Sequence, residues 1–388
     1  MIPYWRLSGY YFFYFAFVGA FSPYFSLYLQ SIGSTPAQIA VLMSLMSVMR
    51  MVAPTLWGWL ADRTGVRTPI VRLSALLSMA GLTGFLLSEA FAPLFASMAL
   101  LAFFWSAALP LVETLTFAHL DDRAERYGNI RVWGSVGFIV AVLGLGYLLD
   151  ALPVRTVLWV SMATLAGILF FALIIPEARR RHAPEAPVAL GEILRRTEVR
   201  ALLAACFFMS AAHGALYVFY SLHLVAHGYS KSLVGWMWTL GVVAEILVFM
   251  GMPRILRAFS LRGILVFSFL ATVLRFALIG WGADWLAVLL FAQLLHGATF
   301  GAYHAAAVAA VNDWFGGRHQ ARGQALYGSI SFGAGGMIGG LISGYTWEWI
   351  GSAWTYSLAS LFALVGLFVL LGGWPVHRNR GAVPEINE

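Results

Sequence analysis

Four charged side chains stand inside stretches that are otherwise apolar: Arg50, Glu113, Glu245 and Arg275. An ionised group in hydrocarbon costs roughly 3 kcal/mol or more unless it is paired or hydrated. Each of the four therefore needs a partner, a proton or a water-lined path. Arg131 opens a further apolar run, and His213, His296 and His304 add titratable companions. The chemistry open to such a set is non-covalent. Guanidinium groups grip a carboxylate through parallel hydrogen bonds, and a carboxyl takes up or releases a proton as its surroundings change. His296 and His304 are eight residues apart, about two helical turns, so they share a similar face. A histidine in an apolar helix also serves as a plain hydrogen-bonding packer. His213, Tyr217 and Tyr220 fall on one helical face, and Tyr10, Tyr14 and Tyr24 are comparable in the first apolar run. Polar-tipped rings line a solute cavity or simply pack.

The elements that carry these residues must live in lipid. Of 388 residues, 61% are hydrophobic and 11% charged, and the mean hydropathy is +0.80. A soluble domain carries about a quarter charged residues, so this chain cannot clothe itself for water. The net charge of +7 does not point to nucleic acid, because the basic residues sit in short clusters between apolar runs. The single cysteine, Cys206, precludes a disulfide within the chain and supports no zinc-type site. No cofactor and no metal are expected. The opening residues carry no small-residue cleavage signal, and their apolar run is too long for a signal peptide.

Apolar runs of about 20 residues read as membrane-spanning helices. Twelve are predicted, over 7–29, 37–60, 69–88, 92–118, 130–149, 154–175, 201–226, 233–253, 262–282, 286–311, 323–346 and 353–374. Of the 24 lysines and arginines, 20 fall on the side of the N-terminus, Arg155 and Lys231 fall on the other, and Arg50 and Arg275 lie within spans. Cytoplasmic loops gather positive charge, so both termini are expected in the cytoplasm of a bacterial cell, with the chain in its inner membrane. Residues 176–200, rich in proline and charge, read as a linker between an N-terminal unit (1–175) and a C-terminal one (201–374), with a short surface helix near 190–198 and a tail over 375–388. The eleventh run holds a dense glycine cluster, Gly333, Gly335, Gly336, Gly339, Gly340 and Gly344. Glycine at such density serves close helix packing or a surface on which helices slide.

The two units repeat. At an offset of 195, Gly19-Ala20 matches Gly214-Ala215, Ser26-Leu27-Tyr28-Leu29 matches Ser221-Leu222-His223-Leu224, Gly33 matches Gly228 and Arg67 matches Arg262. At 194, Trp133-Gly134-Ser135 through Phe138 matches Tyr327-Gly328-Ser329 through Phe332. The fold predicted is all-α, with twelve transmembrane helices in two pseudo-symmetric six-helix bundles and a central site between them. The repeat also relates Arg50 to Glu245. These opposite charges at equivalent depth suggest an ion pair across the seam that a substrate carboxylate or a proton would break; the alternative is that each pairs within its own half.

Between the second and third runs stands Gly58-Trp59-Leu60-Ala61-Asp62-Arg63-Thr64-Gly65-Val66-Arg67. Its glycines allow a tight turn, and Asp62 can cap a neighbouring helix N-terminus or pair with arginine. This loop resembles the signature of the major facilitator superfamily, glycine-x-leucine-x-aspartate-arginine-x-glycine-x-arginine. The resemblance implies a gate built from Gly58, Asp62, Arg63, Gly65 and Arg67. The second unit carries Pro253 to Arg262 at the same place and no aspartate.

Within that superfamily, Phe13-Tyr14-Phe15 through Gly19-Ala20-Phe21-Ser22-Pro23-Tyr24-Phe25 and Tyr127-Gly128-Asn129-Ile130-Arg131-Val132-Trp133-Gly134-Ser135-Val136-Gly137-Phe138 resemble the first and fifth helices of the lactose permease group. The similarity to the 3-phenylpropionate transporters of that group extends through Leu240 to Glu245, Leu295 to Phe300 and His304, nearly the whole chain. The resemblance implies that Glu113, 18 residues before Arg131, pairs with it at the substrate. An aromatic ring follows seven residues after that arginine; here it is Phe138, which lacks an indole donor and so weakens the case for a sugar. It also implies that Arg275 and His296 belong to a proton route whose usual glutamate is replaced by Thr299, which cannot carry a proton. Glu245 is then the replacement.

The function expected is a secondary transporter, not an enzyme. It is read as a proton-coupled symporter of a small aromatic or other carboxylate, working as a monomer by alternating access. Its partners are the solute, the proton and the bilayer, and no nucleic acid is involved. Substrate contacts are expected from Arg50, Glu113, Arg131, Phe138, His213, Tyr217, Tyr14 and Tyr24, and proton coupling from Glu245, Arg275, His296 and His304. Sugar, oligosaccharide or nucleoside symport, efflux, and a non-transporting sensor are the alternatives. The chain shows no nucleophile elbow, metal-ligand cluster or phosphate loop.

Overall fold

The computed structural model describes residues 2–121, 123–178, 191–316 and 319–374. The tail over 375–388 and residues 179–190 of the expected linker lie outside them. Among the described residues, eleven apolar helical segments are long enough to cross a bilayer. They are α1 (Tyr4–Ser31), α2 (Pro36–Thr64), α3 (Thr68–Leu87), α4 (Phe91–Leu120), α5 (Tyr127–Ala151), α6 (Thr156–Ile174), α7 (Thr197–Ala226), α8 (Lys231–Ala258), α9 (Leu261–Trp281), α10 (Leu286–Trp314) and a last segment, Arg322–Gly373. That last segment is broken at Gly351, where φ 83° and ψ 171° are not helical. It contains the two remaining spans, α11 over 320–350 and α12 over 352–373. The twelve predicted spans are therefore present, most of them a few residues longer than the apolar run, although α6 is shorter than the expected 154–175. A one-turn helix, Gly191–Arg195, precedes α7, within the stretch expected to hold a surface helix.

Helix is the form these sequences must take, because a span surrounded by hydrocarbon has to satisfy its backbone groups internally. The lipid-facing surface is apolar: Leu87, Trp159, Trp285 and Trp349 are all well exposed. The helix ends show the repeat directly. α1 ends at Gly33 and α7 at Gly228, both with φ of +83°. Two residues later Thr35 caps α2 by accepting from the Gln38 N–H at 3.2 Å, and Ser230 caps α8 by accepting from the Leu233 N–H at 3.2 Å. Glycine, then a hydroxyl cap, is the stop-and-start signal of adjoining helices, and here it occurs twice at an offset of 195.

α1 and α7 are buried along most of their length and form the hubs of the two bundles. α1 packs on α5 and α6, and α7 on α11. Glycine sets how close these pairs come. A Cβ on Gly19 would strike the Phe138 carbonyl of α5, and one on Gly214 would strike the backbone of Gly339–Gly340 in α11. The glycine cluster of α11 divides between two faces. Gly335 and Gly339 lie against α7, whereas Gly333, Gly336, Gly340 and Gly344 lie against α2. The bundles meet along α2 with α11, α5 with α8, and α1 with α7; the first two contacts are the same contact, exchanged by the repeat.

Candidate solute site and gates

Between the bundles lies a cavity of about 630 Å³, within the range of small-molecule sites. α1, α2, α4 and α5 line it from one side, and α7, α8, α10 and α11 from the other. Two stretches of its wall are π-helical, Gly297–Ala302 in α10 and Ser329–Gly335 in α11. Such widened turns recur at functional sites because they re-aim the side chains they carry.

Most of the residues expected at the substrate are here: Arg50, Arg131, Phe138, His213, Tyr217 and Tyr14 all line the cavity. Arg50 lies 5.9 Å over the Trp105 ring. Arg131 lies 3.9 Å over the Phe15 ring. His213 bonds the Met209 carbonyl through Nδ1 at 2.8 Å, and Tyr217 stacks on Trp238 at 6.3 Å. Two expected contacts lie elsewhere. Glu113 is outside the lining and accepts from the Tyr127 hydroxyl at 3.2 Å. It forms no ion pair with Arg131 within 4.0 Å, because Phe15 holds the guanidinium instead. Tyr24 is fully buried, and its hydroxyl donates to the carbonyls of Val142 at 2.8 Å and Lys231 at 3.2 Å.

Of the residues expected to couple protons, Glu245, His296 and His304 line the cavity. The Glu245 carboxylate stands 3.7 Å from His296 Nε2, and not in an ion pair with Arg50. His304 Nδ1 meets the Tyr327 hydroxyl at 2.9 Å. Phe300 stands between the two imidazoles, stacked at 5.5 Å from His296 and 5.9 Å from His304. Arg275 is not in the lining. It is fully buried and donates to Ala292 O at 2.9 Å, Thr299 Oγ1 at 3.1 Å and Gln293 Oε1 at 2.7 Å. Its acceptors are all neutral, and Gln293 passes the contact on to the Met237 carbonyl of α8 at 3.0 Å.

Hydrogen bonds join the two bundles at helix ends or halves remote from the chain termini. Asp150 at the end of α5 accepts from the Lys231 N–H at 2.8 Å and the Ser232 N–H at 3.1 Å at the start of α8. The Tyr24 hydroxyl to Lys231 O at 3.2 Å, Trp236 Nε1 to the Tyr147 hydroxyl at 3.0 Å, and Ser44 to Met337 O at 3.5 Å also cross the seam. Toward the terminal side Met51 of α2 meets Gly333 of α11, and Gly58 has open space beside it. The cavity reaches Pro54, Arg131 and His304 on that side.

The signature loop sits at this open end. Gly65 closes α2 with φ of 74°, a left-handed conformation that glycine alone adopts without cost. Asp62 and Arg67 are 3.9 Å apart, and Arg63 lies 5.4 Å over Trp59. The cap on α3 comes from Glu177, which sequence reasoning passed over in the charged linker. Its Oε2 accepts from the N–H groups of Arg67 at 2.9 Å and Thr68 at 2.8 Å. Arg72 answers by donating to Ala172 O at 3.1 Å and Leu173 O at 2.9 Å at the end of α6. In the second bundle Arg262, the counterpart of Arg67, donates to Trp374 O at 2.6 Å, so its latch is a helix-end bond and not an acid–base pair.

Partial burial opposes ionisation of Glu177, but the N–H bonds from Thr68 and Arg67 outweigh it and hold the carboxyl below its ordinary range. A carboxylate depressed in this way stabilises the fold at pH above the unfolded value and loses that contribution as pH falls through the folded one. Glu177→Gln is expected to cost about 1 kcal/mol at neutral pH and progressively less in acid. Melting curves of both proteins at neutral pH and near pH 4 test this; a gap that stays constant refutes the cap.

Comparison with known proteins adds the following. A family model described as MFS_1 like family matches residues 4–358. The chain is 29% identical over 368 residues to a protein of Escherichia coli (strain K12) described as a probable 3-phenylpropionic acid transporter, covering 93% of this chain and 96% of that one. It is 28% identical over 377 residues to the maltose permease of Geobacillus stearothermophilus, covering 93% and 92%. Among solved structures, the nucleoside transporter NupG superposes with a TM-score of 0.81 at 17% identity, covering 97% of this chain and 100% of that one. A mutant form of it reaches 0.87.

Proposed function

The chain belongs to the MFS_1 like family of major facilitator transporters, and from that premise we propose that it is a proton-coupled symporter of a small organic carboxylate with an aromatic or apolar body. The observation that carries this reading is the make-up of the cavity wall. One bundle offers Arg50 and Arg131, and the other offers a single carboxyl, Glu245, beside His296. Cationic groups attract an acid, aromatic rings receive its body, and Glu245 with its imidazole neighbour can hold and release a proton. Rocking of the bundles about the seam would expose the site alternately to the two sides. The split of basic residues supports placing both termini in the cytoplasm of a bacterial inner membrane, in which case the arrangement described here is open to the inside.

A second reading, nucleoside or sugar symport, draws support from the likeness to NupG and to the maltose permease. Uptake into proteoliposomes decides between them. 3-Phenylpropionate is expected to accumulate when the outside is made acid and only to equilibrate without a gradient, while uridine and maltose stay at background. Accumulation of uridine or maltose with none of the acid would overturn the acid reading. Acid uptake indifferent to the gradient would remove the proton.

A further inference from the structure

Building on the organic-acid reading, we propose that Arg50, Trp105 and Ser106 form the carboxylate subsite, so that the N-terminal bundle alone holds the acid group of the solute. The cavity holds two guanidinium groups, and they differ. Arg131 is seated on Phe15 at 3.9 Å. Arg50 is exposed in the cavity. Among the described residues it has neither a hydrogen bond nor an acidic partner within 4.0 Å, and it lies 5.9 Å over the Trp105 ring. Its hydrogen-bonding fork is free.

The support beneath Arg50 is a column of rings. Tyr10 stacks on Tyr14 at 6.4 Å and 18°, and Tyr14 stacks on Trp105 at 4.8 Å and 7°. All three are buried, and the guanidinium lies over the outermost of them, Trp105. A cation over an aromatic face is also held electrostatically. A second observation points to a ligand in the same cavity. Trp105 Nε1 and Ser106 Oγ are buried donors without a partner, on residues that line the cavity and are each 5% exposed. Buried donors are nearly always satisfied. A carboxylate is an acceptor with room for several donors, and it would complete the guanidinium fork, the indole N–H and the hydroxyl together. Across the seam the repeat places Glu245 where Arg50 stands, and a second carboxylate there would be repelled. The subsite thus selects a monoacid and fixes which end of it faces the N-terminal bundle.

The test measures binding of 3-phenylpropionate, and of the uncharged 3-phenylpropanol, to the purified full-length protein and its variants by tryptophan fluorescence and thermal shift. Wild type is expected to favour the acid over the alcohol by about 10- to 100-fold, the effect of charge-assisted bonds to one carboxylate. Arg50→Gln should abolish that preference while leaving alcohol binding as it was. Arg50→Lys, which keeps charge but not the fork, should retain part of it, and Trp105→Phe should weaken the acid and spare the alcohol. Acid preference unchanged in Arg50→Gln overturns the subsite while leaving the organic-acid reading standing. Equal loss of acid and alcohol in both Arg50→Lys and Trp105→Phe overturns it in favour of a structural role. Failure of wild type to bind any acid, with uridine bound instead, overturns the organic-acid reading itself.

Discussion

Glutamine in place of Glu245 is expected to abolish concentrative uptake while leaving solute exchange intact. Glu245 is the only acidic side chain among the residues lining the cavity. Its partner His296, 3.7 Å away, is buried and has no hydrogen-bond partner at Nδ1. Glutamine keeps the shape and the hydrogen-bonding reach but can neither take nor give a proton. One proton per solute allows about tenfold accumulation per pH unit, so a two-unit gradient should raise wild-type uptake about 100-fold over equilibrium. Glu245→Gln should end near equilibrium. Counterflow of labelled 3-phenylpropionate, which needs no net proton movement, should continue at a rate comparable to wild type. Accumulation by the glutamine variant equal to wild type would pass the proton role to His296, and His296→Asn is the next protein to assay.

The second large effect is conformational. The Asp150 carboxylate receives two backbone N–H groups at the start of α8, 2.8 and 3.1 Å away, where the positive end of the helix dipole reinforces the contact. It reaches there from the other bundle, so the bond must break whenever the bundles part on that side. Hydrogen bonds to a charged group contribute about 1.5–3 kcal/mol. Asp150 is exposed, which reduces this to about 1–2 kcal/mol for the pair. Asp150→Asn should therefore shift the equilibrium toward opening on the side remote from the termini by about 5- to 30-fold. Tyr24→Phe, which removes one further bond across the seam, to the Lys231 carbonyl, acts on the same contact, so the double variant need not be additive. Distances between spin labels at Leu152 and Tyr229, placed in a Cys206→Ser background, report the change. A distribution identical to that of the parent protein would show that the latch carries no weight.

The spans and their pairing were legible in the sequence for a simple reason. Hydrocarbon leaves one solution for the backbone, and a duplicated unit repeats its turn residues, as Gly33 with Thr35 and Gly228 with Ser230 do. The cavity was legible through its stranded charges, since Arg50, Arg131, Glu245, His296 and His304 all reach it. What could not be read was the second contact of each group. The likeness to the permease group placed Glu113 with Arg131, but the rings Tyr127 and Phe15 take those two side chains instead. The same likeness placed Arg275 on a proton route; in the structure Gln293 and Thr299 satisfy it with neutral oxygens. Trp105 and Phe300 went unnoticed because 15% of the chain is aromatic and no periodicity marks which rings face the seam. Glu177 was hidden in a charged stretch that reads as solvated linker.

The division of the α11 glycines between two faces bears on how variants of this protein should be interpreted. Gly335 and Gly339 tie the helix to its own bundle, and Gly333, Gly336, Gly340 and Gly344 let it run against α2. A methyl group on Gly335 or Gly339 would strike the α7 backbone, and one on Gly333 or Gly344 would collide with Met51 or Ala40. A tolerance map of the chain would therefore show α11 as unforgiving as the solute pocket, for reasons of clearance alone. Intolerance by itself is a poor guide to recognition here, and only scoring protein abundance alongside uptake separates residues that meet the cargo from those that let the helices fit.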